Sequence, residues 1–313
     1  MILEVKNIQL SFSDRKVLKD VNLSLSEGRI ISIVGRSGAG KTSLLKILSG
    51  NLDPEKGEIH FEGKRVKGPL SKLIPGHEEI CLVNQDFKLD EFHTVEENIL
   101  LQILGLPQQI RDKFVEELLE LLELEGIRRQ KARDISGGEQ QRLALARVLA
   151  REPKVILLDE PFSHLDTRLR KKLINYLLEL KSIRGTSIVL VSHDGSEVLA
   201  LSDCIYFMKN GRLIKKGSPE KVYYRPSTIE EARMFGAMNS VRVGEERYLF
   251  RPDEYSLHQI ETAPLLELEF LGSVFTGPVH ENSFKTSRGE KVVLFSFIPL
   301  RNVTRCWIER KTN

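Results

Sequence analysis

Residues 30–48 read Ile30-Ile31-Ser32-Ile33-Val34-Gly35-Arg36-Ser37-Gly38-Ala39-Gly40-Lys41-Thr42-Ser43-Leu44-Leu45-Lys46-Ile47-Leu48. Ile30 to Val34 has the length and apolar character of a buried strand, and Leu44, Leu45, Ile47 and Leu48 recur at helical spacing. Between them, Gly35 to Thr42 fits the Walker A pattern, and a strand before and a helix after are the context that pattern requires. Its glycines let successive backbone N–H groups close around phosphate oxygens with no Cβ in the way. In such a loop Lys41 contacts the β and γ phosphates and the Thr42 hydroxyl ligates Mg²⁺. Gly35, Arg36, Ser37, Gly38, Ala39, Gly40 and Ser43 supply the remaining cradle at a helix N-terminus whose dipole favours an anion.

Outward from this loop the chain alternates strands and helices. Val155 to Leu158 is an apolar run ending in Asp159 and Glu160, a Walker B arrangement whose carboxylates emerge at the C-terminal edge of a strand, where ligands bind in open α/β sheets. Asp159 can hold Mg²⁺ there and Glu160 can polarise an attacking water. Further strand-like runs at Ile188 to Val191 and Ile205 to Met208 suggest a mainly parallel sheet with crossover helices. The alternation Ile2, Val5, Ile8, then Val21, Leu23, Leu25 reads as half-buried strands before it. Phe114, Leu118, Leu121 and Leu122 form a helical stripe within an insert over about 88–150. Phe207 to Lys215 reads as a hairpin about Asn210-Gly211.

Ile135-Ser136-Gly137-Gly138-Glu139-Gln140-Gln141-Arg142 is a second anion-binding candidate: Ser136 can cap the following helix, and two glycines expose N–H groups at its start. This octapeptide resembles the signature motif of ATP-binding-cassette (ABC) ATPases, with Ile135 and Glu139 in place of the commoner Leu and Gln. The resemblance implies that Ser136, Gly137, Gly138 and Glu139 complete the nucleotide site of an opposite subunit. It also implies a head-to-tail homodimer or paired cassette with ATP and Mg²⁺ as its ligands. Other landmarks of that family occur in order. Gln85, after a strand Ile80 to Asn84, resembles the Q-loop glutamine that contacts Mg²⁺ and the attacking water. Ser163 to Asp166 resembles the D-loop, with Asp166 at the interface. His193 resembles the switch histidine that contacts the γ-phosphate, and Phe12 resembles the aromatic that stacks on adenine, though from the residues alone it fits a core position as well.

Around Pro226 to Gly236 the chain reads as a terminal helix and connector. Beyond Ser240, Tyr248 to Phe250, Leu265 to Phe270, Val274 to Val279 and Lys291 to Phe297 read as short strands of a small all-β module. Phe250-Arg251-Pro252-Asp253-Glu254 and Leu271-Gly272-Ser273 resemble the TOBE module, an oligonucleotide-binding-like (OB-like) fold appended to importer ATPases. The expected class is therefore α/β: a P-loop NTPase core with an N-terminal antiparallel β subdomain and a helical insert over 1–228, a connector over 229–239, and a C-terminal all-β OB-like domain over 240–313. The family resemblance implies an ATP-hydrolysing transport subunit. The tail turns that toward import, with the iron, polyamine or inorganic-anion branches favoured and transmembrane permease subunits and a solute-binding protein as partners. An exporter ATPase or a soluble non-transport ABC protein is the alternative.

Composition bounds the rest. Among 313 residues, 47 Lys and Arg face 44 Asp and Glu, and the tail from Ser240 is balanced, so no nucleic-acid partner is expected. Cys81, Cys204 and Cys306 are odd in number and in no metal-ligand spacing, which suits a reducing compartment. No apolar run reaches the roughly 18 residues of a spanning helix. The expected location is the cytoplasmic face of the inner membrane, held there by a partner.

Overall fold

The structure, a computed structural model, describes residues 1–13, 15–83 and 87–311, so the expected strand end Asn84 and the Q-loop candidate Gln85 lie outside the described residues. Two compact units divide the chain, Met1–Ser218 and Pro219–Asn313.

The first unit opens with β1 (Leu3–Phe12), β2 (Arg15–Leu25) and β3 (Ile30–Val34), then α1 (Lys41–Leu48), β4 (Lys56–Phe61), β5 (Lys64–Arg65) and β6 (Ile80–Val83). The insert follows as α2 (Val95–Leu100), α3 (Gln108–Leu121) and α4 (Gly137–Ala150). The unit closes with β7 (Val155–Asp159), α5 (Thr167–Arg184), β8 (Ser187–Val191), α6 (Gly195–Leu201), β9 (Cys204–Lys209) and β10 (Arg212–Gly217). An antiparallel sheet runs β2-β1-β4-β5, and the main sheet runs β10-β9-β3-β8-β7-β6. All main-sheet pairs are parallel except the hairpin β9–β10, whose two-residue turn puts Asn210 at φ 51° and Gly211 at φ 79°.

The main sheet is buried on both faces, which is why its strands read as unbroken apolar runs. Side-chain alternation sends Ile156, Leu158, Ile188 and Leu190 into a core with the insert's Phe114, Leu118 and Leu122. Val155, Leu157, Val189 and Val191 face the other way, into a core with Val5, Ile8, Val21 and α1's Leu44 and Leu48. Among the described residues, neither core draws on a residue beyond Leu213. A chain cut to residues 1–218 is therefore expected to fold and melt cooperatively by itself. Loss of near-ultraviolet circular dichroism in that fragment contradicts it.

The second unit holds α7 (Pro219–Tyr224), α8 (Ile229–Arg233), β11 (Asn239–Val243), β12 (Glu246–Phe250), β13 (Tyr255–Ser256), β14 (Leu265–Phe275), β15 (His280–Thr286), β16 (Lys291–Ser296) and β17 (Arg305–Ile308). The order β13-β17-β14-β15-β16 accompanies a β11–β12 ribbon over a core of Phe250, Leu266, Phe284, Val292 and Leu294.

One strand expectation is corrected by the structure. Leu265 to Phe270 and Val274 to Val279 do not form separate strands: β14 runs through Gly272, with a register shift between Phe270 and Gly272 that bulges Leu271 out of the pairing. The compact units meet between 218 and 219, ahead of the cassette end expected at 228 and the connector expected over 229–239, and Arg251 ties residues 219–237 to the β elements. Fully buried, Arg251 donates from Nε to the Tyr223 carbonyl at 2.8 Å and from Nη1 to Gly236 and Ala237 carbonyls at 3.2 and 2.9 Å. The Tyr223 ring centroid lies 4.0 Å from its guanidinium carbon.

Candidate functional site

The loop 35–40 links β3 to α1 and needs its glycines for stated reasons. A Cβ on Gly35 would lie 2.2 Å from the Met208 carbonyl oxygen, and Gly40 holds φ 106° with Leu18 Cδ2 2.8 Å from where a Cβ would stand. Lys41, 9% exposed, folds back so that Nζ donates to the Gly35 carbonyl at 2.8 Å and the Arg36 carbonyl at 3.1 Å. The loop thus curls around an ammonium, with Arg36, Ser37, Gly38 and Thr42 at its exposed rim, Ala39 buried, and Ser43 half-buried in the first turn of α1. Burial lowers the Lys41 pKa, and the Glu160 and Asp159 carboxylates oppose that fall.

Asp159 ends β7 at 4% exposure. Burial raises its pKa, while a side-chain hydrogen bond with Thr42 opposes the rise. Its Oδ2 is buried with no hydrogen-bond partner among the described residues, and such an oxygen is costly unless something occupies it. A hard cation beside Asp159 and Thr42 fits that vacancy of bonding, since Mg²⁺ takes one or two protein oxygens and completes its shell with phosphate and water.

Glu160 follows at φ 52°, a left-handed conformation for a non-glycine residue, of the kind that persists only where its surroundings fix it. Its N–H donates to the Val191 carbonyl at 2.8 Å. Its Oε2 lies 3.5 Å from His193 Nδ1, with the histidine side chain 70% exposed. The bend carrying His193 is itself braced. Ser192 Oγ donates to Glu197 Oε2 at 2.5 Å, Asp194 caps α6 by accepting from Ser196 N at 2.8 Å, and Arg170 on α5 reaches Asp194 at 3.2 Å and Glu197 at 3.5 Å. Burial raises the Glu197 pKa. Parallel pairing of β3, β8 and β7 thus brings Lys41, Asp159, Glu160 and His193 to one sheet edge.

The other residues singled out lie elsewhere. Ser136 caps α4 in a reciprocal box: Oγ accepts from Glu139 N at 3.4 Å, and Glu139 Oε2 accepts from Ser136 N and Oγ, both at 2.7 Å. Those bonds hold the Glu139 carboxyl below its usual range. A Cβ at Gly137 would meet nothing within 4 Å and one at Gly138 nothing nearer than His164 Cβ at 3.7 Å, so the start of α4 is open. Asp166 caps α5, accepting from Leu169 N at 2.9 Å. Phe12 ends β1 at 52% exposure, which removes the core reading of that residue.

Gln141, Arg170 and Glu197 escaped the sequence reading. Gln141 carried a signal: it stands four residues before Leu145 and eight before Leu149, a polar residue on the apolar stripe of α4. Arg170 and Glu197 carried none, since charged helix residues read as solvated.

The sequence profile of the family described as ABC transporter matches residues 18–163. A spermidine/putrescine import ATP-binding protein from Clostridium novyi is 37% identical over 242 residues, 77% of this chain and 69% of that protein. A sulfate/thiosulfate import ATP-binding protein from Pseudomonas syringae is 35% identical over 268 residues, 83% of this chain and 81% of that one. Among solved structures, the ATP-binding cassette MJ0796, a dimer in a post-hydrolysis state bound to ADP and Pi, superposes with a TM-score of 0.62 at 29% identity, covering 69% of this chain and 98% of that chain. The structure of cbiO1 from Clostridium perfringens, part of an ABC transporter complex, gives 0.59 at 30% identity, covering 71% and 90%.

Proposed function

The chain belongs to the ABC transporter family and is one of its ATPases, and on that premise we propose that two copies close head to tail around Mg²⁺-bound ATP and drive solute uptake through a membrane permease. The observation that carries the reading is the convergence of Lys41, Asp159, Glu160 and His193 on one sheet edge, with an unpartnered Asp159 oxygen among them.

In this reading the N–H groups of Gly35 to Ser43 cradle the triphosphate, and Lys41 exchanges its two loop carbonyls for β and γ phosphate oxygens. Thr42 and Asp159 hold the magnesium ion, with Gln85 as a further ligand by family resemblance. The ion, when bound, neutralises charge developing on the phosphates. Glu160 accepts a proton from the attacking water, and His193 contacts the γ-phosphate from a position within reach of Glu160. Phe12, exposed at its strand end, stacks on the adenine. Ser136, Gly137, Gly138 and Glu139 serve the neighbour's nucleotide, and Asp166 lies at the same interface. The open space at Gly137 supports that placement: no atom of the same subunit requires a glycine there, whereas close approach of a partner's phosphate does.

Hydrolysis removes the γ-phosphate that bridges the two copies, so chemistry shifts the dimer from closed to open and can move a bound permease between two states. Import is supported by the reach of the likeness. The alignment with the sulfate/thiosulfate import protein is longer than the 218 residues of the first unit, so it extends into the second. We assign residues 219–313 to a TOBE-like accessory role and the cargo to small charged solutes such as polyamines or inorganic anions. A solute-binding protein completes the system. No helix among the described residues is long and apolar enough to cross a membrane, so attachment to the cytoplasmic face falls to the permease. Tagged chain drawn from solubilised membranes is expected to bring a polytopic protein with it. Its turnover is expected to stop on chelation of divalent metal and return with Mg²⁺. A tagged chain that leaves membranes with no such partner contradicts the transport reading, and chelator-resistant turnover contradicts the metal assignment.

A further inference from the structure

The helix α4 that begins at Ser136 also reaches its own subunit's Glu160. Gln141, 6% exposed, donates from Nε2 to the Glu160 carbonyl at 3.1 Å and to Ser163 Oγ at 3.3 Å, and Ser163 Oγ donates to the same carbonyl at 3.1 Å. A carbonyl oxygen only accepts, so the amide must present its nitrogen to Glu160. Its Oε1 is left buried with no partner among the described residues. Both backbone groups of the left-handed Glu160 are therefore tied. The N–H goes to Val191, two residues before His193, and the carbonyl goes to the signature helix and to the segment 163–166.

We propose that Gln141 is a positioning residue for hydrolysis: its amide fixes the backbone conformation that aims the Glu160 carboxylate, and it links that aim to the seating of the helix whose first turn serves the opposite subunit's nucleotide. The proposal rests on the assignment of Glu160 as the group that activates water. A role in stability alone explains Gln141 poorly. Half of its amide is unsatisfied in the interior, so an apolar side chain of similar volume removes a buried orphan as well as a bond, a near-neutral exchange.

The test uses the full chain with Gln141→Met, which keeps the volume and removes the donor, and Ser163→Ala, which leaves the bond from Gln141 to the Glu160 carbonyl in place. Expected for Gln141→Met are a fall in turnover at saturating ATP of about 10- to 100-fold, unchanged ATP affinity by calorimetry and an unchanged melting temperature. Ser163→Ala is expected to lose less turnover in the same sense. Because the effect passes through Glu160, adding Gln141→Met to Glu160→Gln is expected to leave the residual rate where it stands. Unmutated turnover in Gln141→Met, a loss matched by lost folded protein, or a further fall of the same factor in the double variant each overturns the proposal. Full turnover in Glu160→Gln alone overturns the assignment of Glu160 on which it rests, a result distinct from the other three.

Discussion

Glu160→Gln is expected to bind ATP as the unmutated chain does and to lose turnover by about 100- to 10,000-fold, the range for removing a general base. The exchange is close to isosteric and leaves the Glu160 N–H on Val191 and its carbonyl under Gln141 and Ser163, so the backbone stays in place. What changes is charge: an amide neither takes the proton of the attacking water nor meets His193, 3.5 Å away, as an anion. With the γ-phosphate retained, ATP continues to favour the closed state, and a ligand that binds one state better shifts the population toward it. Size-exclusion chromatography in Mg²⁺ and ATP should therefore show a stable dimer for this variant. Phosphate release at the unmutated rate contradicts the role given to Glu160.

Lys41→Ala is expected to weaken ATP binding by about 10- to 100-fold, since a charge-assisted hydrogen bond to an anion contributes about 1.5–3 kcal/mol. The ammonium donates to two loop carbonyls at 2.8 and 3.1 Å, and phosphate oxygens are more strongly charged acceptors for it. Desolvation already disfavours the charged lysine there, with Glu160 and Asp159 opposing, which places a partly compensated cation where phosphate arrives. Calorimetry of the variant with ATP measures the loss, and an unchanged dissociation constant contradicts the placement.

The parts legible in the sequence were those whose chemistry is local in the chain. The strand-loop-helix of 30–48 and the apolar β7 ending in Asp159 state their structure in consecutive residues, and the Ser136 box needs only the four residues 136–139. Contacts assembled from distant positions were not legible. Nothing near Arg251 in sequence marks it as buried, since its acceptors at Tyr223, Gly236 and Ala237 precede it by 28, 15 and 14 residues. That tie joins residues 219–237 to the β elements within the second compact unit. Gly272 read as a strand end because glycine punctuates strands, yet it sits inside β14, next to the bulge. The expected Asp166 is present as a helix cap, a role its sequence Asp166-Thr167-Arg168-Leu169 also permits.

The most direct measurement mixes two inactive chains. Ser136→Ala lacks the serine offered to a neighbour, and Glu160→Gln lacks its own water-activating group. If each site joins the P-loop side of one copy to the Ser136 side of the other, a mixed dimer contains one site with both groups intact. Turnover should then rise above that of either variant alone, to at most about a quarter of the unmutated rate when the two chains are mixed equally and exchange freely. Should the mixture, after exchange is verified, hydrolyse ATP no faster than the average of its two components, the site is complete within one chain and the account of a shared interface is contradicted.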